Sequence, residues 1–455
     1  MFAGGWTLEA AEAVGAGGAG DDPQAREVLG LLAGLVDASL VQAETGREAA
    51  RYHLLETVRL FARERLREAG AAEATRDRHA AWCLAVAEGW TDAGRRSPDG
   101  AGARQARAEH ENVRAALAWT AERDPEAALR LAVALAAVWA PGGYPGETCD
   151  RLDALLARLP APTATRARAL FWAGRLHNYR SDYGPASAAL AEAQALFREA
   201  GDPAGVADAL HQRALVATAL GHLDRARTLY DEALRTAVAC RHVAGASNAA
   251  RDLGVLAIRL CDYGRARRHL EESVALAGRA DSPAALGMAV GHLGVVARLQ
   301  GRYAAARAQL ERALTLCRAA GWHPGSQIWR GALGDLARAE GDAAAAGARY
   351  AEVLGHARTH RYDPSWQQGV CEFAVLAAQQ GACARAVRLF GAVPERAHPR
   401  VQMHYPYLWA ELAAALATAR QALSAAAFRQ AWAAGAAMTP EQAVAAALEE
   451  DTDTA

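Results

Sequence analysis

Small and apolar residues recur along the chain at a spacing of forty residues. One column holds glycine or alanine and comprises Gly174, Ala214, Gly254, Gly294, Gly334 and Ala374. A second column holds alanine twelve residues later, at Ala186, Ala226, Ala266, Ala306, Ala346 and Ala386. A third holds Leu, Tyr or Phe four residues further on, at Leu190, Tyr230, Leu270, Leu310, Tyr350 and Phe390. Columns that keep register over six units indicate a repeat architecture, and their spacing within each unit predicts a pair of helices.

The residue types in these columns indicate how the helices pack. Small residues allow the two helices of one hairpin to approach closely, and the larger third column is expected to fill the gap towards the next hairpin. Glycines before the turns allow the positive φ that ends the first helix, and they are Gly221, Gly301, Gly341 and Gly381. Joints such as Gly201-Asp202-Pro203 then separate successive units.

The repeat resembles the tetratricopeptide repeat. One unit reads Leu253-Gly254, Tyr263, Ala266, Leu270 and Ser273, which follows that family's spacing of small, aromatic and alanine positions. The family unit has 34 residues, so about six extra residues are expected here, in the second helix and the joint. The resemblance implies a superhelix of helical hairpins over residues 161–400, whose first helices line a concave groove.

The N-terminal stretch has a different pattern. Helices are predicted at residues 7–14, 25–40 and 56–68, with short strands at 39–43 and 51–55 around a turn at Gly46. Thr7 is the predicted N-cap of the first helix. This order of elements is that of a winged helix that lacks its first part, so the predicted fold class is all-α: a tetratricopeptide-repeat superhelix with a small N-terminal winged-helix remnant.

Four sequence blocks resemble the STAND regulators of bacteria. They are FAGGWTLEAA at 2–11, LVDASLV at 35–41, YHLLETVRLFARERL at 52–66 and EHENVRAAL at 109–117. In that LuxR-family-like group an NB-ARC nucleoside triphosphatase precedes the winged helix and the tetratricopeptide repeats, and many members end in a helix-turn-helix. The resemblance implies the sensor or protein-interaction part of a cytosolic signal-transduction or transcriptional regulator.

The chain also departs from that family. The family's nucleotide-sensing Met-His-Asp triplet aligns with Leu54-Leu55-Glu56, so Leu55 replaces the histidine. Because the chain has no lysine, it has no G-x-x-x-x-G-K-[ST] loop. The expected protein therefore lacks the triphosphatase and the C-terminal helix-turn-helix, either because its start lies upstream or because it is a truncated, free-standing paralogue.

These observations predict five segments. Residues 1–70 form the partial winged helix, and 71–160 form a helical linker with a degenerate first hairpin. Residues 161–400 form the repeat array, 401–447 form capping helices that close the solenoid, and 448–455 form a disordered tail.

Composition narrows the class of function. The 455 residues are 52% hydrophobic and 22% charged, with 50 Lys+Arg against 51 Asp+Glu, so a strongly basic nucleic-acid binder is not expected. Seven cysteines without a C-x-x-C pair are typical of reduced, intracellular protein. The N-terminus lacks a secretory signal and the longest apolar run is far below the ~20 residues of a membrane span, so a cytoplasmic location is predicted.

Motifs with possible chemistry are explained better by plain structure. The G-x-G-x-x-G at 15–20 follows a helix rather than a strand, and the H-E-x-x start at His110 ends in Arg114. Ser247 has no preceding strand and no closing glycine. No catalytic residue, cofactor or metal is therefore predicted, and the chain is not expected to be an enzyme.

Two further alternatives stay open at this point. An enzyme built on the solenoid would need a polar site around Cys371, Cys383, His398 or His404, within or near the unusual loop at 394–406. The helix at 56–68 carries Arg59, Arg63, Arg65 and Arg67, but glutamates at spacings of three and four indicate solvated ion pairs rather than DNA contacts.

The predicted groove is the best candidate binding surface. Its candidate residues lie near the small-residue column, and they are Phe171, Arg175, Asn178, Tyr179, His211, Thr218, Arg251, Ile258, Arg259, Arg298, Asp335 and Arg338. Arginine binds carboxylates and phosphates and stacks on aromatic rings. The expected partner is a protein, a peptide or a small anionic effector, with an ATPase domain as a further partner in cis upstream or in trans, and no DNA or membrane contact. The alternative is a free-standing adaptor without a nucleotide or DNA link.

Overall fold

The part of the chain that the structure describes is all-α apart from one two-stranded sheet, in agreement with the predicted fold class. The structure is a computed structural model that describes residues 1–15, 23–45, 50–94, 101–139, 145–359, 365–394 and 406–448. These ranges contain twenty-two helices and two strands. The chain divides into two compact units, Met1–Leu176 and His177–Ala455.

The first unit begins with three helices and an antiparallel strand pair. They are α1 (Leu8–Gly15), α2 (Pro23–Asp37), β1 (Val41–Thr45), β2 (Ala50–Leu54) and α3 (Glu56–Glu68). Val41 pairs with Leu54 in the register of the sheet. Thr7 Oγ1 accepts the Ala10 N–H at 3.3 Å, so the predicted N-cap is confirmed. The order helix, helix, strand, strand, helix follows the prediction.

The buried side chain of Asn112, on a later helix, forms hydrogen bonds with the first residues of the chain. Asn112 accepts the Ala3 N–H through Oδ1 at 2.7 Å and donates from Nδ2 to the Gly5 carbonyl oxygen at 2.8 Å. Arg51 Nη1 donates to Glu109 Oε1 at 2.6 Å. Two of the sequence blocks that resemble the bacterial regulators, at 2–11 and 109–117, are therefore joined in one structural element.

Five further helices follow in the first unit. They are α4 (Ala72–Gly94), α5 (Ala101–Arg123), α6 (Pro125–Trp139), α7 (Pro145–Arg158) and α8 (Ala164–Tyr179), whose last three residues fall in the second unit. Their core contains fully buried Trp90, Leu129, Leu131 and Leu152.

The second unit is an array of antiparallel helical hairpins. Its helices are α9 (Tyr183–Glu199), α10 (Pro203–Ala219), α11 (Leu223–Ala239), α12 (Val243–Arg259), α13 (Tyr263–Arg279), α14 (Pro283–Leu299), α15 (Tyr303–Ala319), α16 (His323–Ala339), α17 (Ala343–Thr359), α18 (Ser365–Gln379) and α19 (Cys383–Gly391). Helices α9 to α17 have 17 residues each and follow one another after joints of three. Each forty-residue unit is therefore divided into two equal halves, each of one helix and one joint.

A residue with positive φ ends the helices of the array every twenty residues. Gly221, Gly301, Gly341 and Gly381 have φ of 79°, 73°, 87° and 83°, which confirms the predicted helix ends. Non-glycine residues adopt the same conformation at the equivalent places Ser181, Arg241, Cys261 and Asp281. The helices therefore end at intervals of twenty residues even where the residue type makes the left-handed conformation unfavourable.

The large apolar column packs within its own hairpin. A Cβ on Gly254 would lie 2.6 Å from Leu270 Cγ, and one on Gly294 would lie 2.8 Å from Leu310 Cγ. The absent side chain lets the second helix place its leucine directly on the backbone of the first. At Tyr350 the column also reaches the next hairpin, as expected, because the Tyr350 ring lies 5.7 Å from that of Phe373 on α18.

Three helices follow the repeats: α20 (Pro406–Ala422), α21 (Ala425–Ala436) and α22 (Pro440–Leu448). Helix α21 crosses α19 at backbone contact distance, because Gly391 faces the Trp432 carbonyl oxygen and Gly435 faces the Arg388 carbonyl oxygen. Among the described helices, none is both long and apolar enough to cross a lipid bilayer.

Candidate functional site

The first helices of successive repeats lie side by side and form the inner layer of the array. This inner layer comprises α10, α12, α14, α16 and α18, each in contact with the next. Helix α20 packs on it and contacts α12 and α18. Part of the predicted groove is therefore covered by a helix from the same chain.

Two arginines of the inner layer hold one carboxylate of α20. Arg298 from α14 donates from Nη1 to Glu411 Oε1 at 2.9 Å. Arg338 from α16 donates from Nη2 to Glu411 Oε2. The two arginine residues are only 6% and 9% exposed. This arrangement is a buried carboxylate clamp, in which each oxygen of one side chain meets its own guanidinium.

A tyrosine from the outer helix α17 completes the clamp. Tyr350 OH donates to Asp335 Oδ1 at 2.9 Å and accepts from Arg338 Nε at 3.2 Å. The Tyr350 ring occupies the space that a side chain at residue 334 would need. The glycine column therefore lets a residue of the second helix reach the inner layer, and Tyr350 orients both Asp335 and Arg338. We call Arg298, Asp335, Arg338, Tyr350 and Glu411 the clamp.

The charges in and beside the clamp balance. Burial alone would raise the pKa of Glu411, but Arg298 and Arg338 outweigh it and hold that pKa below its usual value. Burial raises the pKa of Asp335 despite the two arginines. Burial, reinforced by the charge of Asp335, raises the pKa of the neighbouring Glu372 well above its usual value. The raised pKa of Glu372 favours its neutral form, in which it adds no third negative charge beside the two guanidinium groups.

A second polar cluster lies nearer the start of the array. His211 Nε2 is 2.7 Å from Asp252 Oδ2, and Arg251 Nε donates to Asp252 Oδ1 at 2.8 Å. Burial alone would raise the pKa of Asp252, but Arg251 and the hydrogen bond from His211 hold it far below its usual range. The cluster joins α10 to α12 on the inner layer.

Arg259 has a different environment from the other inner-layer arginines. It is half-buried near the end of α12 and donates from Nη1 to the Thr218 carbonyl oxygen at 3.1 Å. Burial lowers its pKa. Within the described ranges, no carboxylate forms an ion pair with it. A half-buried arginine that lacks a carboxylate suits an anionic group from outside the chain.

Two of the remaining predicted groove residues are buried. Ile258 is 4% exposed and packs in the core, and the buried Thr218 hydroxyl donates to the Ala214 carbonyl oxygen of its own helix. These two positions are corrections to the predicted open face, because the layer is packed there. The half-buried Asn178 and Tyr179 lie at the end of α8.

Phe171 and Arg175 belong to the first unit. The Arg175 guanidinium lies 4.4 Å from the Trp172 ring centroid and 5.7 Å from that of Phe171. This cation–π stack occupies the guanidinium within its own helix.

Sequence reasoning missed the acidic half of the site. Glu411, Glu372 and Asp252 were not among the candidates, although Asp252 directly follows Arg251. Glu411 could have been found as the single acidic residue in α20, beside the apolar positions Leu408 and Leu412. Its pairing with residues more than seventy positions away leaves no local signal.

The discounted motifs have structural roles where they are described. Ser247 Oγ donates to the Ser273 carbonyl oxygen at 3.1 Å and so joins α12 to α13. Arg59 pairs with Glu56 and Arg65 pairs with Glu68 on α3. Cys371 and Cys383 are buried, while His398 and His404 lie outside the described residues.

Comparisons with known proteins give partial matches. No family model matches this chain. A Mycobacterium tuberculosis protein described as an HTH-type transcriptional regulator is 36% identical over 219 residues, which cover 46% of this chain and 24% of that protein. The chain thus spans about a quarter of the length of such relatives.

Among solved structures, a Rap protein in complex with Competence and Sporulation Factor has a TM-score of 0.49 and 12% identity, covering 74% of this chain and 98% of that one. BtubC from P. vanneervenii has a TM-score of 0.37 and 20% identity, covering 53% of this chain and 91% of that one. These likenesses concern the fold alone.

Proposed function

We propose that this chain is the sensor and protein-interaction part of a cytosolic bacterial transcription regulator, and that its inner layer binds an acidic segment of a protein or peptide. The observation that carries the proposal is the clamp, in which Arg298 and Arg338 take up both oxygens of the Glu411 carboxylate. A layer that binds a carboxylate of its own chain has the chemistry to bind one from a partner.

Arg259 offers a further guanidinium for a partner's carboxylate, nearer the start of the array. It lies on α12, which α20 also contacts, and an acidic side chain of a partner would give its guanidinium a counter-charge. A half-buried ion pair is stronger than an exposed one because water screens it less. A partner that contacts both Arg259 and the clamp would be acidic and would lie along the inner layer.

The regulatory part of the proposal rests on sequence. The partial similarity to a transcription regulator supports it, as do the blocks at 2–11, 35–41, 52–66 and 109–117. In the domain arrangement of STAND regulators, the binding of a partner to this chain would be transmitted to an NB-ARC triphosphatase, in cis or in trans. This chain would contribute recognition and no catalysis of its own.

A free-standing adaptor is the second candidate. One observation favours it: Leu55 stands where the resembled family has its nucleotide-sensing histidine. An adaptor would bind the same acidic partner on the inner layer, but its loss would leave gene expression unchanged.

Complementation in the native host tests both candidates. A deletion strain is supplied with the wild-type gene, with Arg259→Glu, or with Arg267→Glu, which changes an exposed arginine on the outer helix α13. We expect the deletion to alter a defined set of transcripts, which the wild type and Arg267→Glu restore and Arg259→Glu does not. Immunoblots confirm equal protein levels.

Two results would count against the proposal. Unchanged transcripts in the deletion strain would favour the adaptor. Full restoration by Arg259→Glu would show that the inner layer takes no part in the function.

A further inference from the structure

Helix α20 binds the inner layer as a partner helix would. Its apolar positions Leu408 and Leu412 are buried, and Leu416 packs against the same region. These residues fall at intervals of four, so they form one stripe along the helix. Glu411 stands at the edge of that stripe and enters the clamp.

The helix after α20 is held by α19 as well as by α20. Ser424 Oγ accepts the Ala427 N–H at 3.2 Å, so α21 has its own N-cap. Its contacts with α19 at Gly391 and Gly435 do not involve α20. Departure of α20 would keep the N-cap of α21 and its backbone contacts with α19, and would lose the contacts between α20 and α21, such as that of Arg420 with the Phe428 ring.

Departure of α20 would leave the clamp with a charge deficit. Arg298 and Arg338 are buried, and Asp335 would remain as the one carboxylate among the clamp residues. A buried cation without a counter-charge is strongly unfavourable. Any helix that replaces α20 must therefore bring an acidic side chain to the position of Glu411, together with apolar residues for the stripe.

We propose that α20 is an internal ligand that competes with the partner for the inner layer. The partner presents an amphipathic helix with the pattern Leu-x-x-Glu-Leu-x-x-x-Leu, as α20 does from Leu408 to Leu416. The partner's carboxylate replaces that of Glu411 between Arg298 and Arg338. This inference rests on the proposed function and specifies both its partner and its control.

Binding of α20 in trans tests the exchange. A fluorescent peptide of residues 406–422 is titrated into the full-length wild type and into a Leu408→Ala/Leu412→Ala variant, whose own α20 is held less tightly. A full-length Glu411→Gln variant is the second weakened protein. Far-ultraviolet circular dichroism selects the variants that remain folded.

We expect the peptide to bind the weakened proteins at least tenfold more tightly than the wild type, because the internal competitor is weaker there. A peptide with Glu411→Gln should bind at least tenfold more weakly than the wild-type peptide, because two charge-assisted hydrogen bonds are lost. Arg298→Ala in the weakened protein should have the same effect, and Arg267→Ala on the outer helix should have none.

Equal affinity of the peptide for the folded wild-type and weakened proteins, or binding to neither, would overturn the exchange. Equal affinity of the wild-type and Glu411→Gln peptides would overturn the role of the clamp. Complementation with Arg259→Glu does not depend on the release of α20. If the peptide test fails while that variant still loses function, only this inference falls.

Discussion

Glu372 provides the sharpest test of the electrostatics of this array. It lies on α18, is 1% exposed, and accepts a hydrogen bond from Gln368 Nε2 through Oε1 at 2.7 Å. Its Oε2 has no hydrogen-bond partner within the described ranges. Gly331 on α16 leaves the space that the carboxyl group occupies. The charged groups that influence it are Asp335, Arg338 and Glu411, and burial with the charge of Asp335 keeps its pKa raised.

The raised pKa fixes the sign of the pH effect. The unfolded chain loses the Glu372 proton above about pH 4.5, whereas the native protein keeps it. Between these two pKa values the unfolded state binds fewer protons, so rising pH destabilises the native state. The free energy of unfolding should fall by up to about 1.4 kcal/mol per pH unit from this group alone.

Glu372→Gln removes this dependence. The amide resembles the protonated acid in shape, is neutral at every pH, and can still accept from Gln368. As pH rises above about 4.5, the variant should gain stability over the wild type by up to about 1.4 kcal/mol per pH unit, because the raised pKa keeps the proton on native Glu372 after the unfolded chain has lost it. Glu352→Gln changes an exposed glutamate on α17 and serves as the matched control.

Urea unfolding of all three proteins, followed by far-ultraviolet circular dichroism across this pH range, measures the effect. Titrating groups away from this cluster contribute equally to the wild type and the variant, so their difference reports Glu372 together with the carboxyl groups that interact with it, Asp335 and Glu411. A stability difference that stays constant with pH would show that Glu372 is ionised in the native state, and the reasoning about the buried charge balance would be refuted.

Four further changes probe other parts of the fold by urea unfolding. Glu411→Ala should lower the free energy of unfolding by about 3 kcal/mol, because it leaves Arg298 and Arg338 buried with Asp335 as their one remaining carboxylate in the clamp. A decrease of less than about 1 kcal/mol would mean that water already reaches the clamp. Gly334→Ala should destabilise the protein by about 1–3 kcal/mol, because the new methyl group would overlap the Tyr350 ring. Gly355→Ala, in open space on α17, should stabilise it by up to about 1 kcal/mol. Equal effects of the two substitutions would contradict the packing role of the glycine column. Cys261→Gly should stabilise by about 0.5–1 kcal/mol because residue 261 has φ of 57°; no gain would indicate that the left-handed conformation is unstrained. The lowered pKa of Asp252 stabilises the native state at pH values above about 4, and this stabilisation is lost progressively as the pH falls further. Asp252→Asn should therefore lose less stability than the wild type below about pH 4. An equal loss in both proteins would exclude this contribution.

Local and periodic features of the fold could be read from the chain. The forty-residue columns predicted the hairpins, and the glycines before the turns predicted the positive φ at Gly221 and Gly301. The cap at Thr7 and the helix at 56–68 were likewise predicted. Each of these features is set by residues within about twenty positions of one another, where backbone preference and helical spacing act directly.

Contacts between distant elements could not be read in this way. The sequence placed Arg298, Asp335 and Arg338 on an open groove. The tertiary structure places Glu411 between the two arginines and Tyr350 beside Asp335 and Arg338. Pairings such as Arg298 with Glu411 span 113 positions, and no periodicity relates their sequence neighbourhoods.

The sequence by itself determined the class of this protein, its repeat length and the layer in which its arginines lie, because short-range helix physics repeated over six units leaves one arrangement of hairpins. Only the tertiary structure decided which of those arginines are paired and with what. Buried charges require a counter-charge wherever the chain can supply one, and the position of α20 on the inner layer depends on packing across the whole array.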